Sequence, residues 1–356
     1  MARRSRTDLL RLGLVAGIAV LLIAAVWFQR EMIADAVGEI RMMSVGIVAA
    51  LVVLGVIERV SRADIVRRLL GTGSFLRSLT IHDVGSAASK GLPLGGPLAT
   101  GLRWSIARDA SIPTTTFTSM LVAYGVATTF VTWMLPFGVL LVEITLRQPT
   151  TTDLVMLAVC AVVVGGSALF WAVVLRSDRI TVWLVGLLHG VTDHVVRLRP
   201  SIASHVAGHD LGAGLLEVRS SLRAVAGRPF GLLWRTAVAQ SVGAVILLVA
   251  LRGVGVGAEL GMIELARVYF VVTLLSAFVP VPGGVGVVEA GLTGALVAAG
   301  VDAPSALAGV LVYRLITYVV PIVLGAVLYV VWRFDVARSR ERARPPIDLR
   351  EPALIE

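Results

Sequence analysis

Long uncharged runs of apolar residues alternate with short polar segments along the whole chain. The runs 12–28, 154–175 and 306–332, the last broken only by Arg314, approach or exceed the roughly 20 residues that cross a ~30 Å hydrocarbon core. Reading the runs against the charges predicts six full spans, near residues 9–28, 44–60, 114–146, 154–175, 230–251 and 304–332. Run 114–146 would measure about 50 Å as one helix, so it must tilt, kink at Pro136 or project from the bilayer.

Two stretches fit no ordinary span. Segment 81–112 carries the break Gly91 to Pro97, with Pro93, Gly95 and Gly96 inside it. Segment 264–301 has an apolar arm to about Phe278, then Pro280, Pro282, Gly283, Gly284 and Gly286, then a second arm of about 14 residues, each arm too short to cross comfortably. Glycine and proline free backbone groups that lipid cannot satisfy, so each break must be buried in protein or line a cavity. A re-entrant hairpin solves both cases. Each break is followed by a proline (Pro113, Pro304), a long apolar helix with a tyrosine (Tyr124, Tyr313) and another proline (Pro136, Pro321), a weak internal repeat.

Composition agrees with a membrane protein. Of 356 residues 57% are apolar and 15% charged, and the mean hydropathy is +0.88, against about a quarter charged in a soluble domain. The basic residues decide orientation. Four lie at the N-terminus (Arg3, Arg4, Arg6 and Arg11), seven in 61–112, seven in 176–229 and six in 333–356, whereas 29–43, 147–153 and 252–303 carry two, one and two. Under the positive-inside rule the first set is cytoplasmic, so both termini are inside. Segments 29–43 and 147–153 then face out, and the two hairpins enter from opposite faces. Paired inverted breaks meeting near the midplane are a recurring transporter architecture; two breaks buried purely for packing are the alternative.

The predicted fold class is therefore all-α, a polytopic membrane helical bundle with two inverted re-entrant hairpins in one transmembrane domain over 1–356. Residues 9–175 form a first half and 230–332 a second. Segment 176–229 is expected to be a cytoplasmic connector with amphipathic helices near 181–198 and 211–225, and 333–356 a flexible tail. The start, basic and then apolar, resembles a signal peptide but offers no clear cleavage site, so it is expected to be a retained first helix. The net charge of +9 is spread over short segments and points to anionic headgroups rather than nucleic acid.

Charge inside a span is costly and functional by default. Glu289 would sit within the first turn of a helix starting near Val285, where the helix dipole favours a carboxylate, and the glycines before it could aim N–H groups at a phosphate; capping the helix is the alternative. Arg314 lies about ten residues into its span and needs a partner, either Glu289 or a lipid phosphate, or a structural ion pair. Arg235 could snorkel to the inner interface and Gln240 could hydrogen-bond between helices. Lys90 and Arg103 flank the first break, whose polar set also includes His82, Asp83, Arg108 and Asp109. Glu264 and Arg267 read as a surface pair, and Glu58 and Arg59 as markers of the inner interface. His205, His209 and Asp210 lack a third ligand, so no metal is expected, and no hydrolase or Walker motif is present.

Residues 278–293, with Pro282, Gly283, Gly284, Gly286 and Glu289, followed by Tyr313-Arg314, resemble the lysylphosphatidylglycerol synthase transmembrane-region family. The break at 89–98 is similar to that family's first one, and the likeness covers about residues 10–335. It implies a bacterial inner-membrane protein that moves a phospho- or polyprenyl-lipid between leaflets, with Glu289 and Arg314 carried over as functional positions. Residues 122–126 lack the charge that many members place after the first break. Only 24 residues follow Trp332, too few for the transferase domain of the full-length synthases, so no enzymatic activity is expected. The expected substrate-binding set is Glu289, Arg314, Arg235, Gln240, Lys90, Arg103, Pro282, Gly283, Gly284, Gly286, Gly95 and Gly96. The expected partner is a lipid with an anionic or phosphate-bearing headgroup, without cofactor; a homo-oligomer or an envelope-enzyme partner, for which the chain would be a non-transporting scaffold, stays open.

Overall fold

The structure, a computed structural model, describes residues 26–176 and 229–342, apart from 72, 93, 94, 147, 258, 259 and 280, together with 17, 20, 21, 23, 24, 186 and 220. Among these residues it is all-helical. The helices are α1 (Arg30–Met42), α2 (Val45–Leu70), α3 (Phe75–Gly91), α4 (Gly95–Asp109), α5 (Thr114–Leu146), α6 (Thr151–Arg176), α7 (Pro229–Gly253), α8 (Met262–Ser276), α9 (Val287–Ala298), α10 (Ala303–Arg314) and α11 (Val320–Arg342). A π turn, Leu315–Val319, joins α10 to α11 without a break. Helices Thr114–Leu146, Thr151–Val173, Phe230–Gly253 and Ala303–Val336 are long and apolar enough to cross a membrane. The chain is a multi-pass membrane protein.

Each of the two stretches that fit no ordinary span folds as a pair of short helices packed on each other, α3 with α4 and α8 with α9. Their helices of 17, 15, 15 and 12 residues rise about 25 Å or less. The first hairpin begins at Phe75 rather than near residue 81, because Ser74 caps α3 by accepting from Arg77 N–H at 3.3 Å. A Ser N-cap starts a helix even in a polar stretch. The second begins at Met262 and ends at Ala298, close to the expected bounds.

The bases of the two hairpins lie at opposite ends of the bundle. A Cβ on Gly253, the last residue of α7, would strike Met43 and Ile47, so α2 starts where α7 stops. The first hairpin follows the far end of α2, and the second follows the near end of α7. Their packing divides the interior into two apolar cores. One gathers Leu51, Ile246, Leu251, Leu265, Phe270, Leu292, Leu296 and Val310 around α8–α9. The other gathers Val66, Ile81, Leu92, Ile106, Met120, Ile322 and Tyr329 around α3–α4.

Segment 29–43, expected as an outer link, is mostly helix α1 instead, lying along α10. Glu31, Asp35 and Glu39 recur every four residues and fall on one face, leaving Ile33, fully buried Ala36 and Ile40 to meet the cores. Run 114–146 is one helix that passes through Pro136. α11 continues to Arg342, so the start of the expected flexible tail is helical, while 343–356 lie outside the described residues. The connector helices expected at 181–198 and 211–225, with the histidines 189–209, also lie outside them.

Candidate functional site

A proline sets up the centre of the site. Pro321 has no N–H, so the carbonyl four residues earlier, on Thr317, loses its helical donor, and the chain widens there into the π turn. Such turns interrupt a helix where function needs a freed group. Lys90 Nζ fills the vacancy, donating to the Thr317 carbonyl at 2.6 Å. Lys90 is the last residue but one of α3, so the tip of the first hairpin is pinned to the helix that follows the second.

The tip of the second hairpin arrives at the same place. Arg314 Nε donates to Glu289 Oε1 at 2.6 Å, and its Nη2 donates to the Gly283 carbonyl at 3.0 Å. The guanidinium lies over the Tyr318 ring, 4.3 Å from its centroid, and Tyr318 OH donates to the Lys90 carbonyl at 3.3 Å. Gly283 takes a left-handed φ of +62°, and a Cβ there would collide with Tyr318. Gly284 and Gly286 are also left-handed, at +64° and +79°; only glycine adopts such angles without strain. α9 starts at Val287, which makes Glu289 its third residue. The Glu289 carboxylate goes to Arg314 through one oxygen, and its Oε2 is buried with no partner among the described residues.

This polar layer is the seam between the two cores. Tyr313, hydrogen-bonded to Tyr269 at 3.3 Å, belongs to the α8–α9 core and Tyr318 to the α3–α4 core. Arg314 and Thr317 lie between them, 5% and 8% exposed.

A second group of charges extends from Lys90 into the first hairpin. Asp83, 1% exposed, pairs with Arg59 of α2 and meets His82 Nδ1 at 3.0 Å. Glu58 pairs with Arg62 at 3.1 Å, and Arg62 lies beside Tyr124 of α5. Arg103 of α4 lies across α3 at Gly85, where a Cβ would strike its guanidinium. Lys90 is near enough to Glu58, Arg62, Asp83 and Arg314 to feel their charge, and His82 to Arg62 and Arg103. Glu58 and Arg59 therefore sit inside the helical packing rather than marking an interface. The sequence reading missed Arg62 and underrated Asp83; their signal was the charge density of 58–64 on a helix otherwise apolar enough to span.

Of the expected site residues, Glu289, Arg314, Gly283 and Lys90 come together. Gly284 and Gly286 shape the break, and Pro282 opens its single 3-10 turn. Gly95 lets the arms of the first hairpin close, since a Cβ there would lie 2.5 Å from the Ser89 carbonyl oxygen, whereas Gly96 faces open space. Arg103 lies partway down the first hairpin, beside Gly85. Arg235 donates to Gly231 of its own helix at 3.0 Å and joins none of these groups. Gln240 donates to the Thr128 carbonyl and Thr132 hydroxyl at 3.3 Å, tying α7 to α5. Glu264 and Arg267 are more than a surface pair, because Arg267 also reaches Glu143 of α5 at 3.3 Å. No cluster of metal ligands occurs among the described residues.

A helical membrane bundle in which two broken hairpins, based at opposite ends, meet at a buried Arg–Glu pair is the class these features define. Residues 12–325 match the family described as the lysylphosphatidylglycerol synthase TM region, and the chain belongs to that family. No curated protein and no solved structure matches it.

Proposed function

We propose that this protein moves a phosphate-bearing lipid between the leaflets of a bacterial plasma membrane, with both termini in the cytoplasm and both hairpins re-entrant. The observation that supports this most is the charge balance where the tips converge. There Arg314 and Lys90 stand with Glu289, two bases against one carboxylate and a surplus of one positive charge, while farther back Arg59 is matched by Asp83 and Arg62 by Glu58. Buried charge without a counter-ion is expensive, so a buried surplus of this sign favours an anion. A lipid headgroup crossing the bilayer needs such a polar stop, while its acyl chains stay in hydrocarbon.

Arg314 would hold the phosphate by charge-assisted hydrogen bonds, with Lys90 approaching from the other hairpin. The test is leaflet exchange of a fluorescent phospholipid in vesicles containing the purified protein. Arg314→Ala and Glu289→Ala should each abolish exchange at normal protein level. Wild-type rates in both variants would refute the assignment.

A further inference from the structure

We propose that lipid movement is coupled to protons through Glu289, an inference that rests on the lipid-translocating reading above. In the structure Glu289 Oε1 takes the Nε–H of Arg314 and the Gly283 carbonyl takes an Nη2 donor, and a phosphate bound at the remaining donors would draw on the same positive charge. The two anions compete for one guanidinium. Meanwhile Glu289 Oε2 is buried and no donor among the described residues reaches it. Among these residues the carboxylate is thus held by Arg314 alone, and a phosphate at the same guanidinium leaves two anions sharing one buried cation.

The charged groups and tyrosines around it offer no replacement. Arg314 of α10 is then engaged by phosphate. Tyr318 of the π turn gives its hydroxyl to the Lys90 carbonyl, and Lys90 of α3 gives its ammonium to Thr317. On α8, Tyr269 is paired with Tyr313, while Glu264 and Arg267 sit at the hairpin's open end. A carboxylate that shares its only cation in such a place is neutralised rather than left charged. Phosphate binding therefore brings one proton from the buffered solution onto the Glu289 carboxylate; the carboxyl O–H bond forms as the bond to that proton in hydronium or the buffer acid breaks, and release of the phosphate reverses the uptake. Each lipid bound at Arg314 carries a proton with it.

Calorimetric binding to the full chain in detergent tests this, using inorganic phosphate and dihexanoyl phosphatidic acid in buffers of different ionisation enthalpy, which reports protons taken up per anion bound. Wild type should take up close to one proton per anion, beyond what the anion's own titration contributes. Glu289→Gln should take up none and bind at least as tightly, because its competitor for Arg314 is neutral. No uptake in wild type, equal uptake in both proteins, or weaker binding in Glu289→Gln each overturns the coupling. In phosphatidylcholine vesicles with a trace of labelled phosphatidic acid, one proton per lipid makes the leaflet ratio shift about tenfold per unit of imposed pH difference. Exchange that ignores the gradient sinks the coupling and leaves the lipid reading standing. Binding of inorganic phosphate but not of dihexanoyl phosphatidic acid sinks the lipid reading, and failure to bind either overturns both.

Discussion

Hairpin α3–α4 buries Ser78, Thr80, His82 and Asp83 within its first arm, while α8–α9 buries Leu265, Val268, Phe270, Leu274, Leu292 and Leu296 and holds its one deep charge, Glu289, at the break. The first is fastened to a neighbouring helix by an ion pair, Arg59–Asp83, well away from its tip. The second is fastened at its open end by Arg267 to Glu143 and at its tip by Arg314 alone. Its break also needs three left-handed glycines, whereas the described residues of the first break contain none. Apolar packing is non-directional, so an arm held by it can slide where one held by a buried ion pair cannot. The contrast teaches a division of labour: α3–α4 is a fixed wall that contributes charge, and α8–α9 carries the tip that can exchange partners.

Breaking the fixed wall should have the largest effect. Asp83→Ala leaves Arg59, already lacking a partner for its buried Nη1, with no carboxylate, and removal of one member of a buried pair costs about 3–5 kcal/mol. The expected outcome is a large fall in the thermal midpoint in detergent, with exchange lost because the protein unfolds. A midpoint close to wild type would mean that Arg59 finds another counter-ion and that the first hairpin is not held by this pair.

Loosening the second tip should do the reverse, sparing stability more than activity. Gly283→Ala forces a left-handed residue, at about 1–2 kcal/mol, and pushes a methyl group into Tyr318. Because Tyr318 supports Arg314 and bonds to Lys90, displacing it separates the two tips. Exchange should fall at least about tenfold, which is the loss expected from about 1.4 kcal/mol at the site, while most of the protein remains folded. Measuring both quantities on the same preparation separates the two hairpins' roles.

The legible part of the structure was the part written in glycine, proline and hydropathy. Breaks at 91–97 and 280–286 could be placed because those residues interrupt helices wherever they occur, and Glu289 with Arg314 stood out as charge in apolar runs. The arginine counts put the two hairpins on opposite sides, and in the structure their bases lie at opposite ends of the bundle. Side-chain partners within polar stretches were not legible. Segment 58–64 has charges of both signs at several helical spacings, so nothing local says that Arg59 leaves its own helix for Asp83 while Glu58 stays with Arg62. Segment 29–43 was missed as a helix because its stripe of Glu31, Asp35 and Glu39 lowers the mean hydropathy even though the opposite face packs. Lys90 reaches Thr317, 227 residues along the chain, because Pro321 removes that carbonyl's helical donor, a relation that spacing alone does not reveal.

The smallest expected effect is also the sharpest test of how tightly the first tip is built. Gly95 and Gly96 are adjacent and chemically identical, yet a methyl group on Gly95 would lie 2.5 Å from the Ser89 carbonyl oxygen and 2.7 Å from that of Ala88, while one on Gly96 meets nothing within 4 Å. Those obstacles are backbone atoms in the opposite arm, which cannot rotate away. Gly95→Ala must therefore part the arms, at about 1–3 kcal/mol for an overpacked contact, and draw Lys90 back from Thr317. Gly96→Ala should stay within about 0.5 kcal/mol of wild type, as open surface changes do. Equal behaviour of the two variants, in thermal midpoint and in exchange rate, would mean that the arms of α3–α4 do not close on each other, and the fixed wall would then lose its upper edge.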